Sequence, residues 1–306
     1  MSAIIFPGQG SQYTNMAIDF NDNFQAARNT FQEIEDSTKI NIRKIIIENQ
    51  QDKLNQTKYT QISIFAASMA IYSSILSQFD KVEIYPKIVL GHSLGEYSAL
   101  VANKMLSISN ASKLIKIRGE LMQSAIEPNS SGMAAIIGKN SSEIEKIINK
   151  HNLEIVVAND NSPLQVVISG LIKDIDFAQS IFISNGVKRY IKLNVSAAFH
   201  SKYMKKAQEK LISEIDKIPF NFSSIPIISN YDANINNDID KVIVSLKYQM
   251  ANKVKWTESI LKLEHTDIKN IIEIGPSKVL SGLVSRISNK FDIISIDKLS
   301  DLEKFN

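Results

Sequence analysis

Residues 86–104 read Pro86-Lys87-Ile88-Val89-Leu90-Gly91-His92-Ser93-Leu94-Gly95-Glu96 and continue as YSALVANK. The β-branched run up to Leu90 predicts a short strand, and Leu94–Lys104 predicts a compact helix. Between them Gly91-His92-Ser93-Leu94-Gly95 fits G-x-S-x-G. A serine on such a turn is held in strained backbone with its hydroxyl exposed, and the flanking glycines let strand and helix approach closely. The helix would also aim free N–H groups and its positive dipole end at Ser93, where an oxyanion would form. The competing reading is an ordinary glycine-rich turn. The strand before and helix after favour a nucleophile.

The same strand-then-helix rhythm recurs on both sides. Upstream lie a buried-strand candidate at Ala3–Phe6, the turn Pro7-Gly8-Gln9-Gly10-Ser11-Gln12, and helical periodicity through Asp36, over Ile40–Asn49 and over Thr60–Phe79. Downstream a helix is predicted from about Ser109 to Ile126, with Arg118 and Met122 one turn apart on neighbouring surface. After Glu127-Pro128-Asn129-Ser130-Ser131-Gly132 the pattern changes. Met133–Gly138 reads as strand, Ser141–Lys150 as helix with Ser142 a candidate cap, and Leu153–Ala158 and Gln165–Ser169 as strands joined by a loop over 159–163. Asp174–Ser184 reads as helix and Val187–Val195 as strand. That β-α-β-β-α-β order is the signature of a ferredoxin-like unit.

The remainder returns to alternation. Helices are predicted at His200–Lys217, Asp238–Met250, Thr257–Leu263 and Lys278–Ser288, with strands at Pro226–Ser229, Ile271–Ile274 and Ile293–Ile296. The expected architecture is α/β: a large α/β-hydrolase-like domain, 1–128 and 197–306, with a mostly parallel sheet covered on both faces. A ferredoxin-like subdomain, 129–196, is inserted into it. The lone Trp256 is read as a packing residue.

Composition narrows the function. The 306 residues are 44% hydrophobic and 22% charged, as in a soluble globular protein. A net charge of +3, from 35 basic and 32 acidic residues, implies no bulk attraction to nucleic acid or membrane. With no cysteine, disulfides, thiolate metal sites and a cysteine nucleophile are excluded. The start MSAIIFPGQG does not read as a signal peptide, and no apolar run reads as long enough to span a bilayer. A cytoplasmic location is expected.

Ser93 needs a base. The chain has four histidines. His151 and His265 lie in polar, exposed-looking stretches. His92 adjoins the serine across a sharp turn and is not expected to face the same site. His200 follows the small-residue loop Ser196-Ala197-Ala198-Phe199 and is preferred, with His92 the alternative. A hydrolase triad would also place a carboxylate between serine and histidine. Glu96, Glu120, Asp160 and Asp174 are available, yet none sits in a clear loop after a large-domain strand. A backbone carbonyl can instead fix a histidine tautomer.

These residues carry a resemblance. The chain resembles the malonyl-CoA:acyl-carrier-protein transacylases over nearly its whole length: FPGQGSQ at 6–12, TQ at 60–61, GHSLGEYSALV at 91–101, RGELMQ at 118–123, GMAAIIG at 132–138, NSPLQVVISG at 161–170, AFHS at 198–201 and EIGPSKVLSGL at 273–283. The resemblance implies Ser93 as the acylated nucleophile, His200 as general acid/base, and the N–H groups of Gln9 and Leu94 as the oxyanion hole. It also implies Gln61 as a pocket-lining residue, the main-chain carbonyl of Gln249 as the group orienting the histidine, and Arg118 as the clamp on the malonyl carboxylate. Met122 and Phe199 join the substrate-binding set, Phe199 leaving little space for an α-methyl branch. Lys253 departs from the family pattern, which has proline there.

Arg118 has a physical rationale beside the resemblance. Malonyl-CoA differs from acetyl-CoA by one carboxylate, and a guanidinium holds a carboxylate through two parallel charge-assisted hydrogen bonds. In a site shielded from water, an acyl group lacking that partner is penalised by on the order of 2–5 kcal/mol. The implied partners are malonyl-CoA and acyl carrier protein, with no nucleic acid and no membrane. Neither metal nor tightly bound cofactor is needed, and the working expectation is a monomer. The rival readings are a serine thioesterase or esterase, a polyketide acyltransferase, and a catalytically silent binding module.

Overall fold

The computed structural model describes residues 1–79 and 86–305. Among them are ten strands: β1 (Ser2–Phe6), β2 (Ile88–Gly91), β3 (Ser131–Ile137), β4 (Ile155–Ser162), β5 (Gln165–Leu171), β6 (Arg189–Lys192), β7 (Ile227–Ile228), β8 (Ile235–Asn236), β9 (Asn270–Ile274) and β10 (Asp292–Ile296). One sheet runs β10-β9-β1-β2-β7-β8, parallel except for β8. The other runs β4-β5-β3-β6 and is antiparallel throughout.

Side-chain alternation along the strands explains the layering. In β1, Ile4 and Phe6 enter one core with the helices Gln25–Thr38, Thr57–Gln78 and Ile108–Gln123. Ala3 and Ile5 enter a second core on the opposite face, with Trp256, Ile260, Leu280 and Leu283. In β3, Ala134 and Ile136 pack under the helices Ser141–Lys150 and Ile172–Ser184, whereas Met133 and Ala135 face the large sheet's side. The antiparallel sheet thus has one face for its own core and one for a cleft.

A strap, residues 249–257, ties the two sheets together. Val254 N–H donates to Ala158 O at 2.8 Å, and Asp160 N–H donates to Val254 O at 2.9 Å. Thr257 Oγ1 donates to the Asp160 carboxylate at 2.7 Å, and Lys253 Nζ reaches Glu145 at 2.8 Å. On the other side Lys255 N–H donates to Asn230 O at 3.0 Å.

Several sequence-based boundaries shift. β4 continues through Ser162 where a loop is predicted, because a neighbouring strand offers partners that local composition does not announce. Asn140, not Ser142, caps its helix, in a capping box with Glu143. The last strand of the small sheet is Arg189–Lys192, shorter than predicted. The helix predicted from His200 begins at Lys205, after a tight turn over Lys202–Met204. One helix, Thr57–Gln78, has 22 residues and enough apolar character to cross a membrane, contrary to the sequence reading. It is buried against helices on several sides, the usual fate of a helix apolar all round.

Candidate active site

The register of β1 on β2 pairs Phe6 with Gly91, so the loop after β1 and the serine turn leave the sheet side by side at its carboxyl edge. His92 N–H donates to Phe6 O at 3.0 Å. A Cβ on Gly95 would stand 2.1 Å from Phe6 O, so only glycine lets the following helix start this close to β1. Ser93 itself takes a left-handed backbone, φ 51°. Asn230 holds that turn: its Oδ1 accepts from Ser93 N–H at 2.6 Å and its Nδ2 donates to Gly91 O at 2.7 Å. Leu94 directly precedes the helix Gly95–Ala102, so its N–H belongs to the first-turn donors that have no intrahelical acceptor.

His200 is also left-handed, φ 54°, and buried. Its Nδ1 lies 3.1 Å from both Gln249 O and Asn252 O. Carbonyl oxygens only accept, so Nδ1 carries the proton and Nε2 is left as an acceptor. Ser93 Oγ sits 2.9 Å from that Nε2 and donates to it. Burial, reinforced by the nearby Arg118 charge, pushes the His200 imidazole down to about 3. The resting ring is therefore neutral and ready to take a proton. Among the described residues no carboxylate faces His200 Nδ1; the strap's two carbonyls fill that place.

Arg118 is 1% exposed, not on the surface where helical periodicity alone would leave it. Nη1 donates to Gln61 Oε1 at 2.6 Å, and Nη2 donates to Ser93 Oγ at 3.0 Å and to Gln249 Oε1 at 2.9 Å. The guanidinium lies over the Tyr97 ring, 5.5 Å from its centre. Among the described residues it has no ion pair. The Gln249 amide nitrogen donates to Ser93 O and to Glu96 Oε2, each at 2.7 Å. Glu96 Oε2 also accepts from Asn230 N–H at 3.1 Å. Burial pushes the Glu96 carboxyl up to about 7.

These groups open into a cavity of about 350 Å³ between the two sheets. Gln9, Gln61, Ser93, Leu94, Arg118, Met122, Phe199 and His200 all line it. Gln249 does not, acting from behind through its carbonyl and amide. His92 does line it, contrary to the sequence reading, but its Nε2 is taken by Asn161 Oδ1 at 2.8 Å and it makes no bond to Ser93. His151 and His265 are exposed elsewhere. Asn230, Asn252, Asn161 and the buried Glu96 were not singled out for these positions, although Glu96, inside GHSLGEYSALV, and Asn161, opening NSPLQVVISG, stood in quoted motifs.

The arrangement suits acyl transfer through a serine ester: an activated hydroxyl, a neutral imidazole and a buried cation share one cleft. Residues 3–293 match the family model described as "Acyl transferase domain". A malonyl CoA-acyl carrier protein transacylase of Bacillus subtilis (strain 168) is 35% identical over 304 residues, 98% of this chain and 95% of that protein. One from Escherichia coli (strain K12) is 35% identical over 287 residues, 93% and 92% of the two chains. The crystal structure of an acyl carrier protein S-malonyltransferase from Vibrio cholerae superposes with a TM-score of 0.93 at 33% identity, covering 100% of this chain and 99% of that one. A type II PKS malonyl-transacylase, solved in complex with its acyl-carrier protein, gives 0.94 at 32% identity, with 99% and 98% covered. With nearly its full length matched to them, the chain belongs to the acyl transferase domain family, among the malonyl CoA-acyl carrier protein transacylases.

Proposed function

We propose that this chain moves a malonyl group from malonyl-CoA to the phosphopantetheine thiol of an acyl carrier protein, through a malonyl-Ser93 ester, supplying fatty acid elongation in the cytoplasm. Ser93 Oγ attacks the thioester carbonyl while His200 Nε2 takes its proton. The tetrahedral oxyanion rests on the N–H groups of Gln9 and Leu94. Collapse breaks the C–S bond, and His200 returns the proton to the departing CoA thiolate. The carrier thiol then attacks the ester, giving its proton to His200, and Ser93 leaves with it. The large sheet with its helices reads as an α/β-hydrolase-like domain, 1–128 and 197–306. The strand order β4-β5-β3-β6 suits a ferredoxin-like insert over 129–196.

The observation that carries the substrate choice is Arg118, a buried guanidinium beside Ser93 with neutral partners only. A substrate carboxylate supplies the missing counter-charge. Incubation with malonyl-CoA or acetyl-CoA followed by intact-mass measurement tests this directly. Arg118→Ala is expected to depress malonyl loading far more than acetyl loading, by about tenfold or more in the ratio of rates. An unchanged ratio removes the clamp. Hydrolysis outrunning transfer to carrier protein would favour a thioesterase instead.

The acidic carrier proteins that the resemblance implies need a docking surface. Lys202, Lys205, Lys206 and Lys210 are exposed beside the histidine loop, as are Lys188 and Arg189 on the smaller sheet. Lys202 is engaged by Glu154 at 2.8 Å; Lys205, Lys206 and Lys210 have no ion pair among the described residues. Changing these three to Glu is expected to raise KM for carrier protein, most strongly at low salt, while malonyl-Ser93 formation from malonyl-CoA stays near wild type. If both half-reactions fall together, or neither changes, this surface is not where the carrier docks.

A further inference from the structure

Glu96 is fully buried, does not line the cavity, and is used by no step above. Its position relative to Gln249 and Arg118 gives it a task. We propose that Glu96 is a positioning residue for acyl selection: its carboxylate fixes which way the Gln249 amide points, and that amide aims the Arg118 guanidinium into the cavity. The inference rests on the reading of Arg118 as the carboxylate clamp.

A primary amide can rotate by half a turn and exchange its oxygen and nitrogen at almost no steric cost, so its orientation is set by its partners. Gln249 Oε1 accepts from Arg118 Nη2 at 2.9 Å, and Nε2 donates to Ser93 O and to Glu96 Oε2. Rotating it would set oxygen against two acceptors and NH2 against a cation. Of those two acceptors, Glu96 Oε2 is the one supplied by a side chain, and a buried oxygen facing it makes the wrong orientation expensive. Glu96 is itself located by Asn230 N–H at 3.1 Å, and the Asn230 side chain holds Ser93 N–H. One carboxylate oxygen therefore references both the clamp and the nucleophile turn.

Placement matters as much as orientation. A carboxylate bonded directly to Arg118 in the cavity would neutralise it and compete with the acyl carboxylate. Behind an intervening amide, Glu96 fixes the partner of the guanidinium while the cavity face of the guanidinium stays free.

The test compares Ser93 loading from malonyl-CoA and from acetyl-CoA by intact mass in wild type, Glu96→Gln, Glu96→Met and Arg118→Ala. Glu96→Gln keeps an acceptor oxygen for Gln249 and Asn230 and is expected to hold the malonyl-to-acetyl rate ratio within about threefold of wild type. Glu96→Met fills the space without an acceptor and is expected to lower that ratio by about tenfold or more, the worth of a hydrogen bond to a charged group. Should Glu96→Met not fold, Glu96→Asp, which withdraws the carboxylate by one methylene, is expected to lower the ratio in the same direction. A variant that slows both substrates equally shows a merely structural residue and overturns the proposal, as does Glu96→Gln lowering the ratio as far as Glu96→Met. If Arg118→Ala changes the ratio and Glu96→Met does not, only this inference falls. If Arg118→Ala leaves it unchanged, the clamp and this inference fall together.

Discussion

Replacing Ser93 by alanine is expected to abolish the stable malonyl adduct, lowering loading by roughly 10⁴-fold or more, since among the described residues no other nucleophile is held against the base. The fold should persist. The left-handed backbone at Ser93 is fixed by Asn230 and by the close approach of Gly95 to Phe6, neither of which involves the hydroxyl. Intact-mass measurement after exposure to malonyl-CoA, beside a circular dichroism spectrum, checks both halves. An adduct formed at the wild-type rate would place the nucleophile elsewhere.

His200→Ala is expected to slow transfer by roughly 10²–10⁴-fold, the usual worth of a positioned base. His92→Ala should be milder, because the His92 ring is bonded to Asn161 and not to Ser93. The pH profile gives a second reading of the same residue. The working form is the neutral ring, and the folded protein holds that form well below the ordinary value of 6.5. Loading by wild type should thus persist as pH falls through 6.5 and fail only as pH approaches the depressed value. An acid limb centred at 6.5 would show that burial does not control His200. Stability responds earlier. The unfolded chain takes up the His200 proton at 6.5 while the folded chain resists until about 3, so this group's contribution declines across that window as pH falls. Glu96, pushed up from 4.5 to about 7, works the other way between those two values.

The serine turn was legible because its geometry is local: two glycines, a short strand and a helix, all within residues 88–102, force the backbone that exposes Ser93. His200 was legible by elimination among four histidines. Its helix start was not, because the left-handed backbone at His200 is imposed by the strap carbonyls on its ring, a contact remote in sequence. Arg118 was legible from the resemblance and from the chemistry of a malonyl carboxylate, not from periodicity. Periodicity marks which helix face an arginine occupies but not that Gln61 and Gln249 wait there for its guanidinium. The orienting role of Gln249 had no side-chain signature at all, since a main-chain carbonyl looks the same in every residue, and only the family resemblance pointed to it. Strand β8, two residues long, is too short to leave a periodic pattern.

The strap has a consequence for recombining this protein with its relatives. Residues 249–257 lie far along the chain from β4, yet they bond to its edge and also lend His200 the Asn252 carbonyl. Lys253 adds an ion pair from the strap to Glu145 on the smaller sheet's helix. A chimera that exchanged residues 129–196 alone would graft a foreign edge onto a resident strap and disturb the histidine from a distance. The heritable unit of exchange is two separate stretches that travel together, and crossover points that part them break a module which the linear map shows as unrelated pieces.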